Sequence, residues 1–226
     1  LQKSPVHIWA ESKRFPVETS IKEIHKYTAD MGVVISYGVI LKPDVLALMP
    51  FVNTHFSMLP KYRGASPFQS AIMNGDTESG VCLMHIAEGL DTGDVYMCRP
   101  FSIGENDTTA DVLTRAGGMT SDMLLEFLAA PDSFAPLPQS GEPTYTRKFT
   151  GDDEFIDWTR PAAAIHNQIR AIGGRTKING IDVKIIKTSI ENGKLKIENV
   201  QPAGKRPMDW KSFVNGLRGA EIEFGK

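Results

Sequence analysis

Asn53, His55 and Asp91 are the three side chains whose types and spacing suit them to chemistry together. Asn53 and His55 sit two residues apart in Phe51-Val52-Asn53-Thr54-His55, which reads as a short strand. Strand alternation sends both side chains to one face. Asp91 lies in Gly89-Leu90-Asp91-Thr92-Gly93-Asp94, a glycine-rich stretch between two apolar runs. Loops at strand ends are where α/β sheets hold ligands. An asparagine amide donates to a developing oxyanion. An imidazole, protonated or in the right tautomer, donates to the same oxygen. A carboxylate beside it orients the ring and favours its cation, and relays a proton directly or through water.

No nucleophile accompanies the three. Ser57 is not on a sharp strand–turn–helix elbow, and neither cysteine lies in a polar, basic setting. That leaves transfer between two bound substrates, with the attacking group on the acceptor. Taken singly, each piece has a plainer reading. Asn-x-His on a strand is more often structural than catalytic, and Gly and Asp are common turn residues. The acidic spacing is not that of a calcium loop.

The elements that must position these residues read as α/β. Ser4 caps a helix with Pro5 in its first turn, and Ser20 caps another through Tyr27. Gly32 to Tyr37 is an apolar run expected to be a strand buried on both faces, as in a parallel sheet. Ser66-Pro67 opens a helix that Gly75 ends. Val81 to Ile86 and Val95 to Cys98 read as strands, and Asp107 to Leu128 as a long helix interrupted in pattern by Gly117-Gly118. From Ala130 to Pro143 the composition turns to Pro, Ser, Gly and Gln, a linker signal. Beyond it, Pro161 to Ile172 is a helix with Ile165, Ile169 and Ile172 on one stripe. Val183 to Ile186 and Leu195 to Val200 read as half-exposed strands of a small sheet or barrel. The expected organisation is a catalytic α/β domain over 1–129, a linker over 130–150 and a small basic β-rich domain over 151–226.

Length and composition agree with two unequal domains. The 226 residues are 41% hydrophobic and 23% charged, ordinary for a globular chain. No apolar run approaches the ~20 residues of a membrane span, so no membrane association is expected. Cys82 and Cys98 are the only cysteines. They are too few for a disulfide framework or a cysteine-rich zinc site. Each is expected to be a buried reduced thiol, which suits a reducing cytoplasm. The net charge is −2, but from Arg175 to Arg218 ten Lys and Arg stand against four acids. That segment is +6 and the rest −8, a pattern that suggests a polyanion-binding module joined to a catalytic one.

The joint pattern is a recognisable one. Asn53-Thr54-His55-Phe56-Ser57-Met58-Leu59-Pro60-Lys61-Tyr62-Arg63-Gly64-Ala65-Ser66-Pro67 resembles the signature stretch of formyltransferases that use 10-formyltetrahydrofolate. Gly89 to Asp94 resembles their second signature, at the family spacing from His55. The resemblance implies that Asn53, His55 and Asp91 are catalytic. It implies that Ser57, Met58, Leu59 and Pro60 line the folate site, with Met58 in place of a leucine of similar volume. Ser36-Tyr37-Gly38-Val39-Ile40-Leu41 resembles the strand-end loop that contacts the pterin, so Tyr37, Gly38 and Ile40 join the expected folate residues. The implied formyl donor is 10-formyltetrahydrofolate, with no metal.

The implied fold is a Rossmann-like, mostly parallel sheet followed by a small OB-like β-barrel. In this family the sheet opens with a strand, a glycine-containing turn and a helix. None of these precedes Leu1, so that part is expected to be missing. Phe155 to Ala163, Val200 to Met208 and the start Leu1 to Val6 resemble the methionyl-tRNA branch of the family. That branch implies methionyl initiator tRNA as acceptor, a monomer, and a cytoplasmic location of bacterial or organellar type. Lys205 and Arg206, after a Pro-Ala-Gly turn, are the first candidates for tRNA contact. The alternatives are a sugar-nucleotide N-formyltransferase and a non-catalytic RNA-binding relative.

Overall fold

The computed structural model describes residues 3–225, so Leu1 and Gln2 of the start compared above lie outside them. Helix α1 (Pro5–Ser12) begins where Ser4 accepts a hydrogen bond from the His7 amide. Ser20 caps a 3-10 turn, Ile21–Lys26, instead of an α-helix. There follow β1 (Gly32–Ile35), α2 (Pro43–Leu46), β2 (Phe51–His55), the two-residue β3 (Arg63–Gly64), α3 (Pro67–Asn74), β4 (Glu78–His85), β5 (Val95–Ser102) and α4 (Thr109–Ala129).

Four of these strands form a sheet in the order β1-β2-β4-β5. Only β1 and β2 run parallel; β2 with β4 and β4 with β5 are antiparallel. The expectation of a mostly parallel sheet is corrected on this point. The chain reverses through the Gly89–Asp94 turn, which needs no crossover, and a direct reversal gives an antiparallel pair. The expectation for the Gly32 run also changes. As an edge strand, β1 leaves Val33 and Ile35 exposed instead of burying both faces.

Helices α3 and α4 supply the core beside the sheet. Along α4, Val112, Ala116, Met123, Leu124 and Phe127 are buried against Val52, Phe68, Ile72, Val81 and Leu83. Each large side chain so buried is worth about 1.5–3 kcal/mol. Thr108 and Asp111 close the start of α4 with a reciprocal capping box, worth about 1 kcal/mol. Gly117 and Gly118 lie within the helix without breaking it. Gly75 ends α3 in the left-handed conformation at φ 78°, as helix C-termini favour.

Cys82 and Cys98, expected as separate reduced thiols, are joined in a disulfide. The register of β4 and β5 sets them directly opposite, with Cα atoms 4.1 Å apart. Strand propensity does not reveal such a register, and the thiol argument for a reducing compartment falls with the correction.

The second half comprises β6 (Tyr145–Thr146), α5 (Ala162–Ile172), β7 (Gly174–Ile178), β8 (Ile181–Glu191), β9 (Lys194–Pro202), β10 (Met208–Asp209), α6 (Trp210–Gly216) and β11 (Phe224–Gly225). Its five-stranded antiparallel sheet has the order β10-β9-β8-β7-β11. Among the described residues the end strands β10 and β11 do not pair with each other, so the sheet is open there and closure into the expected barrel is not seen. Asn179-Gly180 and Asn192-Gly193 form its two-residue turns, with φ positive at all four positions. Those values match the twist of a hairpin, which Asn-Gly pairs tolerate.

This half has its own core, built on Ile156, Ile165, Ile169, Ile178, Val183, Ile185, Val200 and Phe213. Helix α5 ties the two halves together. Ala171 joins the first core. Arg170 donates to the carbonyls of Asp107, Gly104 and Ile72. His166 contacts the Glu105 carbonyl. Among the described residues no helix is long and apolar enough to cross a membrane.

Candidate active site

The C-terminal end of β2 carries Asn53 and His55 at alternate positions on the central part of the first sheet. His55 is 5% exposed and Asn53 half-buried. Past His55 the chain turns tightly. The Ser57 hydroxyl donates to the Lys61 carbonyl at 2.5 Å, the Leu59–Pro60 bond is cis, and Tyr62 takes φ 58°. This turn brings the Tyr62 carbonyl back to His55 Nε2 at 2.9 Å. A carbonyl only accepts, so Nε2 carries the hydrogen.

On the other side of the ring, His55 Nδ1 lies 3.5 Å from Asp91 Oδ2. The Gly64 amide donates to the same Oδ2 at 2.7 Å. Asp91 is held at φ 50° within the loop between β4 and β5. Burial pushes the His55 pKa down; the Asp91 carboxylate and the Tyr62 carbonyl pull it up, and Arg63 pushes down again. The net direction is down, because loss of water around the ring outweighs the attraction of the carboxylate. Asp91 acts in the expected sense, favouring the cation, while burial of the ring works against it. With the hydrogen on Nε2, Nδ1 presents its lone pair towards the Asp91 carboxyl group.

The expected folate residues divide. Ser57 is fully buried, and its hydroxyl donates to the Lys61 carbonyl within the turn. Pro60 is buried and Leu59 half-buried in the same turn. Met58 packs where Gly80 leaves room: a Cβ on Gly80 would meet Met58 Sδ at 2.3 Å. Met58 also lines a polar cavity of about 330 Å³ with Lys61, Tyr62, Asp76, Glu78 and Ser79. Tyr37, Gly38 and Ile40 are exposed on the loop after β1, Ile40 by 81%.

A second cavity, of about 340 Å³, opens at the start of β2 and was not anticipated. Pro43, Leu46 and Met49 form one wall; Phe51 and the chain from His85 to Glu88 form the other. Pro43, Leu46 and Met49 recur at three-residue intervals, a helical signal that was available in the sequence. Phe51 is two residues before Asn53, about 7 Å along a strand.

The basic segment is partly self-neutralised. Arg175, Lys187 and Lys196 pair with Glu154, Glu198 and Glu191. Lys205 and Arg206 are exposed and carry no ion pair among the described residues. Arg175 and Lys184 stand directly opposite on the exposed face of β7 and β8. Like charges directly opposite are unfavourable, and Glu154, paired with Arg175, supplies a counter-charge to the pair.

Comparison with known proteins follows the same division of the chain. A family model described as formyl transferase matches residues 2–128, and one described as formyl transferase, C-terminal domain, matches residues 148–196. A methionyl-tRNA formyltransferase of Cereibacter sphaeroides is 35% identical, covering 95% of this chain and 82% of its own length. One of Coprothermobacter proteolyticus is 32% identical over 100% of this chain and 86% of its own. Among solved structures, a methionyl-tRNA formyltransferase from Clostridium thermocellum superposes with a TM-score of 0.70 at 19% identity, covering 86% of this chain and 91% of that one. An N-formyltransferase from Helicobacter canadensis, in complex with folinic acid and dTDP-3-aminofucose, gives 0.68 at 27% identity, covering 84% and 72%.

Proposed function

The chain belongs to the methionyl-tRNA formyltransferase family, and we propose that it moves the formyl group of 10-formyltetrahydrofolate onto the α-amine of methionyl initiator tRNA. The observation that carries this reading is the identity of about a third with curated methionyl-tRNA formyltransferases over nearly the whole chain. Residues 1–129 are the catalytic domain, 130–150 the connection and 151–226 the tRNA-binding domain. The enzyme acts as a cytoplasmic monomer, of bacterial or organellar type.

In the proposed reaction the neutral α-amine attacks the formyl carbon. Its free pKa of about 7.7–8.0 leaves part of it neutral at pH 7. Asn53 has no side-chain hydrogen-bond partner among the described residues, and its amide donates to the formyl oxygen as that oxygen becomes an oxyanion. The nitrogen loses a proton as its bond to carbon forms. His55 Nδ1 takes that proton, and Asp91 Oδ2 stabilises it there. Collapse of the intermediate breaks the bond from carbon to N10, and the proton passes to N10. The geometry that supports this path is the bare Nδ1 beside Oδ2, with Nε2–H already engaged by Tyr62. The apolar cavity at the start of β2 is of a size for the flat folate ring, and Glu88 offers acceptors for ring N–H groups.

The test supplies the enzyme with formyl-labelled 10-formyltetrahydrofolate and either charged initiator tRNA or a dTDP-amino sugar. Label is expected on the methionine of the tRNA. Label on the sugar alone selects the sugar-nucleotide alternative, and label on neither acceptor selects the non-catalytic one. For the tRNA surface, replacing Lys205 and Arg206 together by alanine is expected to reduce the steepness of log Kd against log salt by about 1–2, as for two lost phosphate contacts. A filter-binding salt titration with an unchanged slope would place the phosphate contacts elsewhere.

A further inference from the structure

Residues 137–146 do more than connect the two halves. Leu137 and Val95 exchange backbone hydrogen bonds of 2.8 and 2.9 Å, which fixes the segment beside the start of β5. Eight residues on, β6 begins and pairs in parallel with β3. There the Thr144 hydroxyl accepts from the Tyr62 amide and the Thr146 hydroxyl from the Ser66 amide. The segment thus touches both catalytic loops: the one that follows His55 and the one that holds Asp91.

Gln139 lies between these anchor points, half-buried. Its Nε2 donates to the carbonyls of Asp91 and Gly93, each at 2.8 Å. Its Oε1 accepts from Arg63 Nε at 3.1 Å and Nη2 at 2.7 Å. Both amide hydrogens and both lone pairs are used, which is the full capacity of a carboxamide. We propose that Gln139 is a positioning residue: it braces the Asp91 loop against Arg63 and so sets Asp91 Oδ2 at its place beside His55 Nδ1. The proposal rests on the reading of Asp91 as catalytic.

Two observations say why a brace is needed. Asp91 sits at φ 50°, a left-handed conformation that costs an L-residue about 1–2 kcal/mol. Its Oδ2 is steered by one further hydrogen bond, from the Gly64 amide next to Arg63. Gln139 therefore ties the backbone of Asp91 to the same short strand that ties its carboxylate. The chemistry also specifies an amide. A glutamate of the same length keeps the two bonds from Arg63 and strengthens them by charge. It would, however, turn an acceptor towards two carbonyls that need a donor.

The test is steady-state kinetics of Gln139→Glu and Gln139→Ala, with Ser140→Ala, an exposed neighbour, as control. Both Gln139 variants are expected to lower kcat by roughly 10- to 100-fold, the scale of an ångström-sized misplacement. KM for both substrates should stay within about twofold, and Ser140→Ala should match wild type. The pH profile is the readout that a general loss of packing does not move. His55 is faced by Asp91, by the Tyr62 carbonyl and by Arg63. Moving Asp91 away removes a raising influence, so the acid limb of kcat/KM shifts to lower pH. Combining Gln139→Ala with Asp91→Asn should cost no more than Asp91→Asn alone, because residues acting through one another do not add.

A kcat within twofold of wild type overturns the proposal, as does a loss with an unmoved acid limb that adds to Asp91→Asn. If Gln139→Glu fails to fold, Gln139→Ala decides. If Asp91→Asn is itself fully active, the underlying catalytic reading fails instead.

Discussion

Replacing Asn53 by alanine is expected to lower kcat roughly 10²–10³-fold, the cost of one oxyanion donor, while the melting temperature stays within a few degrees of wild type. The amide is half-buried and has no side-chain partner among the described residues, so its removal orphans nothing. A single-turnover assay beside a thermal melt separates the two effects, and wild-type turnover would remove Asn53 from the mechanism. His55→Ala should lose at least as much activity but also stability. It leaves the Tyr62 carbonyl without its ring N–H donor and a void where a side chain was 5% exposed. An unsatisfied buried acceptor costs about 1–3 kcal/mol. Asn53 is thus the cleaner probe of chemistry, and His55 of chemistry and architecture together.

Gly93→Ala should be the most damaging methyl group in the molecule. A Cβ at Gly93 would lie 1.9 Å from the His85 carbonyl oxygen and 2.8 Å from its carbon, both backbone atoms. Backbone cannot step aside as a side-chain tip does. The loop must move, and it would take with it the Asp94 carbonyl that accepts from the His85 amide and the Gly93 carbonyl that accepts from Gln139. Overpacking of this kind costs about 1–3 kcal/mol or more, and the displaced loop carries Asp91. Loss of nearly all turnover with a clearly lowered melting temperature is expected. Gly89→Ala is the internal comparison, because the atoms nearest its Cβ belong to the exposed Thr92 side chain and not to backbone. Equal tolerance of the two substitutions would mean that the close approach at Gly93 is not a real constraint.

Much of the site was legible because its parts are local. Alternation along Phe51–His55 orders Asn53 and His55, and a glycine-rich loop between apolar runs locates Asp91. The helices after Ser4 and Ser66 and the long α4 carry their caps in the chain. What escaped is non-local. Two-residue strands such as β3 and β6 have no periodicity, so the pairing of Arg63 with Tyr145 is invisible in composition, and the Pro-Ser-Gly-Gln stretch reads as a plain linker. The register that joins Cys82 to Cys98 depends on how β4 meets β5. The antiparallel turn of the sheet, the open edge of the second one and the burial that lowers the His55 pKa all depend on neighbours distant in sequence. The Asn179-Gly180 turn, by contrast, was a readable hairpin signal, and with it β7 could have been found.

The pairing of β3 with β6 has a consequence for how the protein is made. Asp91, His55 and Asn53 are all synthesised before Gln139, Thr144 and Thr146, which complete the bracing of their loops. Fifty-five positions separate Asp91 from Thr146. At roughly 5–20 residues per second, about 3–11 seconds pass between translation of Asp91 and of the strand that completes its setting. An enzyme whose product starts protein chains gains the last contacts to its own candidate site only when its chain is well past the middle.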